Sequence, residues 1–301
     1  MEKAFWCVPT GRPRASYAGI RMLAALDHVV IGVRDLAAAA QSYARLLGRA
    51  PSWRGIHPGA GTSNVLFRLE NNYLELLSGT GLDEGLIALA FATDDAKAEA
   101  ARLAGTGIET SAPADGEGRE SASGAVRRWR NTFLPTTTAR GLLLFAIEHL
   151  TSADVLPLAQ PTAPAEATVH ALDHVVVASD DLEAARRLYG EALGLRLALD
   201  RRFEARGLRI LFFRVGGVTL EVAGPLEPPA APAAFDRFAG LAYRVAGVAA
   251  ARARLAAAAF DVSPVRPGAK PGTLVCSVRA GTVSVPTLLV GPADPATDEL
   301  I

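Results

Sequence analysis

The segment LDHVVIGVRDLAAAAQSYARLLG, residues 26–48, returns without a gap as LDHVVVASDDLEAARRLYGEALG at residues 172–194. Twelve of the 23 positions are identical and the offset is 146 residues, so the chain is an internal duplication, which must be recognised before single residues are given roles. Each copy reads the same way. A β-branched run, Val29–Val33 or Val175–Val177, predicts a strand. An aspartate follows, Asp35 in the first copy and Asp180 or Asp181 in the second, whose carboxylate can accept from the free N–H groups that open a helix. Leu36, Tyr43 and Leu47 fall near helical spacing, as do Leu182, Tyr189 and Leu193, which gives each helix one face for a sheet. Gly48 and Gly194 stop the helices in the C-cap manner.

The register continues beyond these segments. Val65–Leu69, the turn Asn71-Asn72 and Tyr73–Leu77 read as a hairpin, and so do Ile210–Val215, Gly216-Gly217 and Val218–Ala223. Asn and Gly accept the positive φ that two-residue hairpin turns need. The order is strand, helix, three strands. Weaker units follow: residues 86–108 with a final strand at Leu142–Ile147, and residues 241–262 with a final strand at Val283–Val290. The expected fold class is therefore α+β, four βαβββ modules paired as two domains of mixed sheet with helices outside. The stretch 151–168 is rich in Pro, Ala and Thr and reads as a linker. The expected organisation is a loose extension at 1–21, domain one at 22–151, a linker at 152–168, domain two at 169–292 and a tail at 293–301.

At 301 residues each half is long enough to bury its own core. The 31 basic residues balance the 31 acidic ones, so no broad field points to nucleic acid or an anionic membrane. Cys7 and Cys276 lie far apart without metal-ligand spacing, as expected of a reduced, cytoplasmic protein. No run approaches the roughly 18 apolar residues of a membrane span, and residues 1–21 lack the apolar stretch of a secretory signal. No nucleophile elbow or nucleotide-binding glycine loop is present.

The return strands each carry one acid among apolar residues, Glu75 in YLELL and Glu221 in VTLEVAG. His28 to Glu75 and His174 to Glu221 are both 47 residues apart. His57 opens the glycine-rich HPGAGTSN, which ends at Asn64; it reads first as a turn residue, and second as a group facing substrate or metal. In VRRWR, a strand would put Arg128 and Arg130 on one face and Arg127 and Trp129 on the other. Arg128 and Arg130 could hold an anionic substrate group, although solvated arginines are the default. The same default covers Arg201, Arg202, Arg206 and Arg209.

With LDHVV before a capped helix, and hairpins ending in LEL or LEV, the sequence resembles the vicinal oxygen chelate superfamily. That group includes glyoxalase I, methylmalonyl-CoA epimerase, extradiol dioxygenases and bleomycin- or fosfomycin-resistance proteins. HPGAGTSN leading to YLELL, and the late LLLFAIEHL, make the first half similar to the family's glyoxalase-like branch. The resemblance implies a cupped, half-open barrel in each domain, with divalent-metal ligands on the first and last strands of each unit. Carried over, it implies His28, Glu75 and Glu148 in domain one, with His149 in place of Glu148 if the register slips by one. Ala88 then stands at the remaining position. Domain two would offer His174 and Glu221, with Gly240 and Leu288 where ligands should be, and so reads as partly degenerate.

The implied cofactor is a divalent ion, Zn, Ni, Mn, Co or Fe. The implied function is a metal-dependent lyase or isomerase acting on a small vicinally oxygenated compound, with Glu148 as base or third ligand. Two alternatives stand beside it. One is a protein that sequesters a drug-like molecule. The other is a ring-cleavage dioxygenase, which requires His149 or His57 to join His28 and Glu75. The expected partner is a small molecule, and a homodimer is an open possibility.

Overall fold

A computed structural model describes residues 23–293. The expected N-terminal extension, Cys7, and all of the tail but Ala293 lie outside the described residues.

The first half starts with β1 (Ala25–Gly32) and α1 (Leu36–Leu47). Asp35 caps α1 by accepting from Ala38 N at 2.9 Å, and Gly48 ends it with φ 67°. Next come β2 (Trp53–His57), β3 (Thr62–Arg68) and β4 (Tyr73–Ser78). The second unit is β5 (Gly85–Ala92), α2 (Ala96–Gly105), β6 (Ala114–Glu120), β7 (Val126–Phe133) and β8 (Leu143–His149). The eight strands close into a barrel in the order β1-β4-β3-β2-β6-β7-β8-β5. The seam that closes it is short: Gly55 pairs with Glu120 and Ile56 with Arg119. The expected α+β modules are present, but the first pair is a full barrel rather than a half-open cup.

The second half repeats the plan. It contains β9 (Val169–Ala178), α3 (Leu182–Arg186, continued by one π-helical stretch, Arg187–Ala192), β10 (Arg196–Phe203), β11 (Leu208–Val215) and β12 (Val218–Pro225). Asp181, not Asp180, caps α3 through Ala184 N. Gly216 and Gly217, both at positive φ, make the expected two-residue turn. The fourth unit is β13 (Arg237–Val245), α4 (Val248–Ala257), β14 (Arg266–Pro267), β15 (Thr273–Val278) and β16 (Thr287–Pro292). β16 starts later than the expected Val283, because Val283 and Ser284 are left-handed and Pro286 has no N–H to give a ladder. This sheet stays open, with β10 and β14 at its edges.

One continuous apolar core includes residues of both halves, Tyr43, Leu46 and Leu47 of α1 and Leu255 of α4 among them. Polar contacts pin the same interface. Tyr43 Oη donates to Thr282 O at 2.9 Å, Arg102 donates to Ala192 O at 3.0 Å, and Arg254 donates to the carbonyls of Arg45, Leu46 and Ala167. The segment expected as a linker is pinned as well: Ala50 N donates to Gln160 O at 2.8 Å and Ala159 N to Arg68 O at 2.9 Å. No helix among the described residues is long and apolar enough to cross a membrane.

Candidate functional site

The barrel of the first half encloses a cavity of about 800 Å³. Its walls follow from strand alternation. On β1 the residues His28 and Val30 face inward, on β4 Tyr73, Glu75 and Leu77, and on β8 Leu143, Phe145 and Ile147. Trp53 and Trp129 supply flat walls. Glycines make room for them, Gly55 on the strand of Trp53 itself and Gly116 on the strand beside Trp129: a Cβ on Gly55 would come within 2.4 Å of Trp53 Nε1, and one on Gly116 within 2.3 Å of Trp129 Nε1.

The polar groups cluster on one side. His28 is 2% exposed and Glu75 8%. His28 Nε2 lies 3.5 Å from Glu75 Oε2, and His57 Nε2 lies 3.9 Å from Glu75 Oε1. The far nitrogen of each imidazole is held by an oxygen: His28 Nδ1 by Asp27 Oδ1 at 2.7 Å, His57 Nδ1 by Thr62 Oγ1 at 2.8 Å. Each Nε2 is thereby left facing Glu75. The Asn64 amide nitrogen bridges the gap, donating to Glu75 Oε1 at 2.7 Å and lying 3.0 Å from His57 Nε2. Asn64 Oδ1 is buried and has no hydrogen-bond partner. Tyr73 stacks on His28 with ring centres 4.3 Å apart, and Phe145 meets it edge-on at 5.6 Å.

Burial would raise the Asp27 carboxyl, but hydrogen bonds from His149 and His28 and their charges outweigh it and hold it well below the usual carboxylate range. Burial pushes His57 below the ordinary imidazole value; Glu75 opposes this, while Arg127 and His28 add to it. His57 is therefore neutral near pH 7.

His28, Glu75, His57 and Asn64 thus come together, and His57 is the last residue of a strand as well as the acceptor of the turn Pro58–Gly61. Other expected residues do not join them. Glu148 faces away from the cavity: with Phe145 and Ile147 pointing in, it points toward α2, accepts from Ala96 N at 3.0 Å and lies 3.6 Å from Arg130. Its place is a helix cap, not a ligand or base beside His28. His149 is outside the cavity lining and holds Asp27 Oδ2 at 3.0 Å. Arg130 is outside the cavity lining and pairs with Asp115 at 2.6 Å, and Arg128 reaches only the rim, paired with Glu117 at 3.2 Å. The face alternation of VRRWR was legible, but the cavity takes the opposite face, Arg127 and Trp129. Tyr73, Asp27 and Phe145 were not singled out by the sequence. The aspartate beside each histidine in the repeated LDH was the available signal for Asp27.

Ala88 lines the cavity, and Ala90, Phe145 and Ile147 of the second unit form one apolar cluster with it. Among the described residues, no three His, Cys, Asp or Glu side chains are drawn together as a ready metal cage. Inside the cavity, His28 and His57 face Glu75 at 3.5 and 3.9 Å. Two imidazole nitrogens with their lone pairs turned to a carboxylate, each fixed from behind, are a donor set suited to a divalent ion. The orphaned Asn64 oxygen is a further buried acceptor that a cation would satisfy.

In the second half, His174 Nδ1 binds Asp173 at 2.9 Å and lies 3.8 Å from Glu221. His174, Gly240 and Leu288 line a cavity of about 700 Å³, but Glu221 is not part of that lining. No counterpart of His57 stands there: Arg201–Phe203 end β10 instead.

A family model described as a glyoxalase-like domain matches residues 26–170, and one described as the glyoxalase/bleomycin resistance protein/dioxygenase superfamily matches residues 173–276. Among solved structures, the chain is similar to a mutant of 4-hydroxymandelate synthase from Streptomyces coelicolor, at TM-score 0.66 and 15% identity, covering 91% of this chain and 93% of that one. It is also similar to a Mn(II)-bound glyoxalase from Novosphingobium aromaticivorans, at 0.61 and 16%, covering 90% and 83%. A halotolerant catechol dioxygenase matches at 0.61 and 14%, covering 91% and 89%. At these identities the likeness is one of fold. No curated protein matches the chain by sequence.

Proposed function

The chain belongs to the glyoxalase/bleomycin resistance protein/dioxygenase superfamily, with two of its domains in tandem, and from that premise we propose that the first domain is a divalent-metal-dependent lyase or isomerase acting on a small vicinally oxygenated compound. The observation that carries the reading is the convergence of His28, His57 and Glu75 on one wall of a closed barrel. His28 Nε2, His57 Nε2 and the Glu75 carboxylate would hold the ion. When bound, such an ion would polarise two vicinal substrate oxygens and acidify a hydrogen on the carbon next to the polarised carbonyl.

The chain's own groups supply the rest. Asp27 and Thr62 hold the direction of the two imidazoles, and the Asp27 carboxylate, which only accepts, sets the His28 tautomer. Glu75 is the inward carboxylate beside them and the group placed to exchange a proton with substrate. The other acids on the wall, Asp115 and Glu117, are tied to arginines. Tyr73, Trp129 and Phe145 exclude water and strengthen every charge interaction inside.

A metal titration of chelator-stripped protein tests this. The expected result is stoichiometric uptake of one of Zn, Ni, Mn, Co or Fe, weakened about a hundredfold or more by Glu75→Gln and by His57→Ala. No uptake of any of the five ions, or uptake indifferent to both substitutions, defeats the proposal. The same two-imidazole, one-carboxylate set supports a second reading, ring cleavage by an iron-loaded site. Oxygen consumption with a catechol, present only in the iron-loaded protein, would select it.

A further inference from the structure

The proposed chemistry leaves one buried charge in the cavity unused. Arg127, on β7, is 8% exposed and lines the cavity. Its guanidinium carbon lies 5.2 Å from the centre of the Tyr73 ring and 5.7 Å from that of Trp53. Among the described residues no carboxylate forms an ion pair with it, whereas the next two arginines on the strand are each paired, Arg128 with Glu117 and Arg130 with Asp115.

A guanidinium keeps its charge when buried. Taking it out of water is unfavourable unless an anion meets it. The faces of Tyr73 and Trp53 offset part of that cost through their quadrupoles. They do not use the planar fork of N–H donors, which matches a carboxylate. A buried, acid-free arginine on the wall of a substrate-sized cavity is therefore set up for a ligand's anionic group.

Its place limits the ligand's length. His28 stacks on Tyr73 at 4.3 Å and an interplanar angle of 16°, and the Arg127 guanidinium carbon lies 5.2 Å from the centre of the same ring. The two stacking distances, 4.3 and 5.2 Å, laid end to end bound the separation of the imidazole and the cation. That is the scale of one substituted aromatic ring, and the flat walls of Trp53 and Trp129 suit such a body.

We propose that Arg127 forms an anion subsite at the Trp53–Tyr73 end of the cavity, so that the substrate of the first domain is an aromatic or similarly flat carboxylate. The substrate assignment rests on the function proposed above; the subsite is tested without it. Metal-free full-length protein is titrated with 4-hydroxybenzoate and its neutral counterpart 4-hydroxybenzamide, and likewise with cinnamate and cinnamamide, by calorimetry. The expected preference for the carboxylates is about tenfold or more. It should collapse to near parity in Arg127→Gln and survive in part in Arg127→Lys, which keeps the charge without the fork. Thermal melts establish that each variant folds, and if the glutamine variant does not, the wild-type preference and the lysine variant decide.

Equal binding of acid and amide, no binding of either acid at millimolar concentration, or a preference that survives Arg127→Gln overturns the subsite. Because no metal is present, those results leave the metal proposal standing. Conversely, a carboxylate preference in protein that takes up no ion would defeat the metal proposal alone.

Discussion

Arg254 is the place where the two halves are expected to stand or fall together. Its Nη2 donates to Leu46 O at 2.9 Å, its Nε to Ala167 O at 3.1 Å, and its Nη1 to Arg45 O. Two of those carbonyls belong to the last turn of α1, in the other domain, where helix carbonyls have no partner of their own. Arg254→Met keeps the apolar stem and removes every donor. Hydrogen bonds from a charged donor are worth roughly 1.5–3 kcal/mol each. The site is half-buried, so water replaces part of the loss, and about 2–4 kcal/mol is expected in total. For a chain of this size that lowers Tm by roughly 3–7 °C. The assay exploits an accident of sequence: Trp6, Trp53 and Trp129 all precede the linker, so tryptophan fluorescence reports on the first half although the substitution lies in the second. Urea unfolding followed by fluorescence and by far-ultraviolet circular dichroism should shift together. A fluorescence transition that stays in place while the other signal moves would refute the single-core account, as would a total loss under about 0.5 kcal/mol.

Three further outcomes are expected. Glu148→Gln keeps an acceptor for Ala96 N and should cost less than about 1 kcal/mol, with ion uptake unchanged in the metal titration; weakened uptake would return Glu148 to the site. Gly116→Ala places a Cβ against the Trp129 ring, so the indole must tilt into the cavity, destabilising the barrel by about 1–3 kcal/mol; an unmoved Trp129 in the variant's crystal structure contradicts this. Asp200 is bound by Arg209 through two hydrogen bonds, at 2.8 and 2.6 Å, which hold its carboxyl below the usual range against the opposing effect of burial. A depressed folded value means that the pair's contribution, about 1 kcal/mol, is present above the unfolded value and is lost as pH falls through the folded one; Arg209→Ala should remove that acid-side loss, and denaturant midpoints between pH 6 and 3 that fall as steeply in the variant would contradict it.

Those outcomes sort residues that the sequence could place from residues that it could not. The repeated LDHVV, the capping aspartates and the two hairpins carry their own periodicity and chemistry, so β1, α1, β4, β9, α3 and β12 were legible together with His28 and Glu75. β6 was not. Its sequence, ADGEGRE, has no apolar face to betray a half-buried strand, because its glycines are there to accept the Trp129 indole rather than to fill a core. β2 fails for the same reason: WRGIH is short and Gly55 yields its space to Trp53, which left His57 looking like part of a loop. In IEH at the end of β8, one residue decides which side chain enters the barrel, and apolar pattern alone does not fix that parity. Only the inward Phe145 and Ile147 do, and they turn Glu148 outward.

The closure of the first barrel gives the missing ligands a physical sense. The four polar groups that face one another, His28, His57, Asn64 and Glu75, come from the first unit, β1 to β4. Opposite them the second unit contributes Ala88, Phe145 and Ile147, which provide room and an apolar wall, while its buried cation, Arg127, stands apart at the Trp53–Tyr73 end. On the function proposed, such a division works only if the first unit assembles three donors by itself, and ending β2 on His57, with its ring turned toward Glu75, supports that reading. It also needs the wall to exclude water, which the β2–β6 seam achieves by shutting the barrel. The second half meets neither condition. Its first unit ends β10 on arginines and a phenylalanine, and its sheet stays open between β10 and β14. The same LDH segment and the same 47-residue spacing therefore sit in two different environments, and the environment, not the repeat, directs the metal test to the first domain.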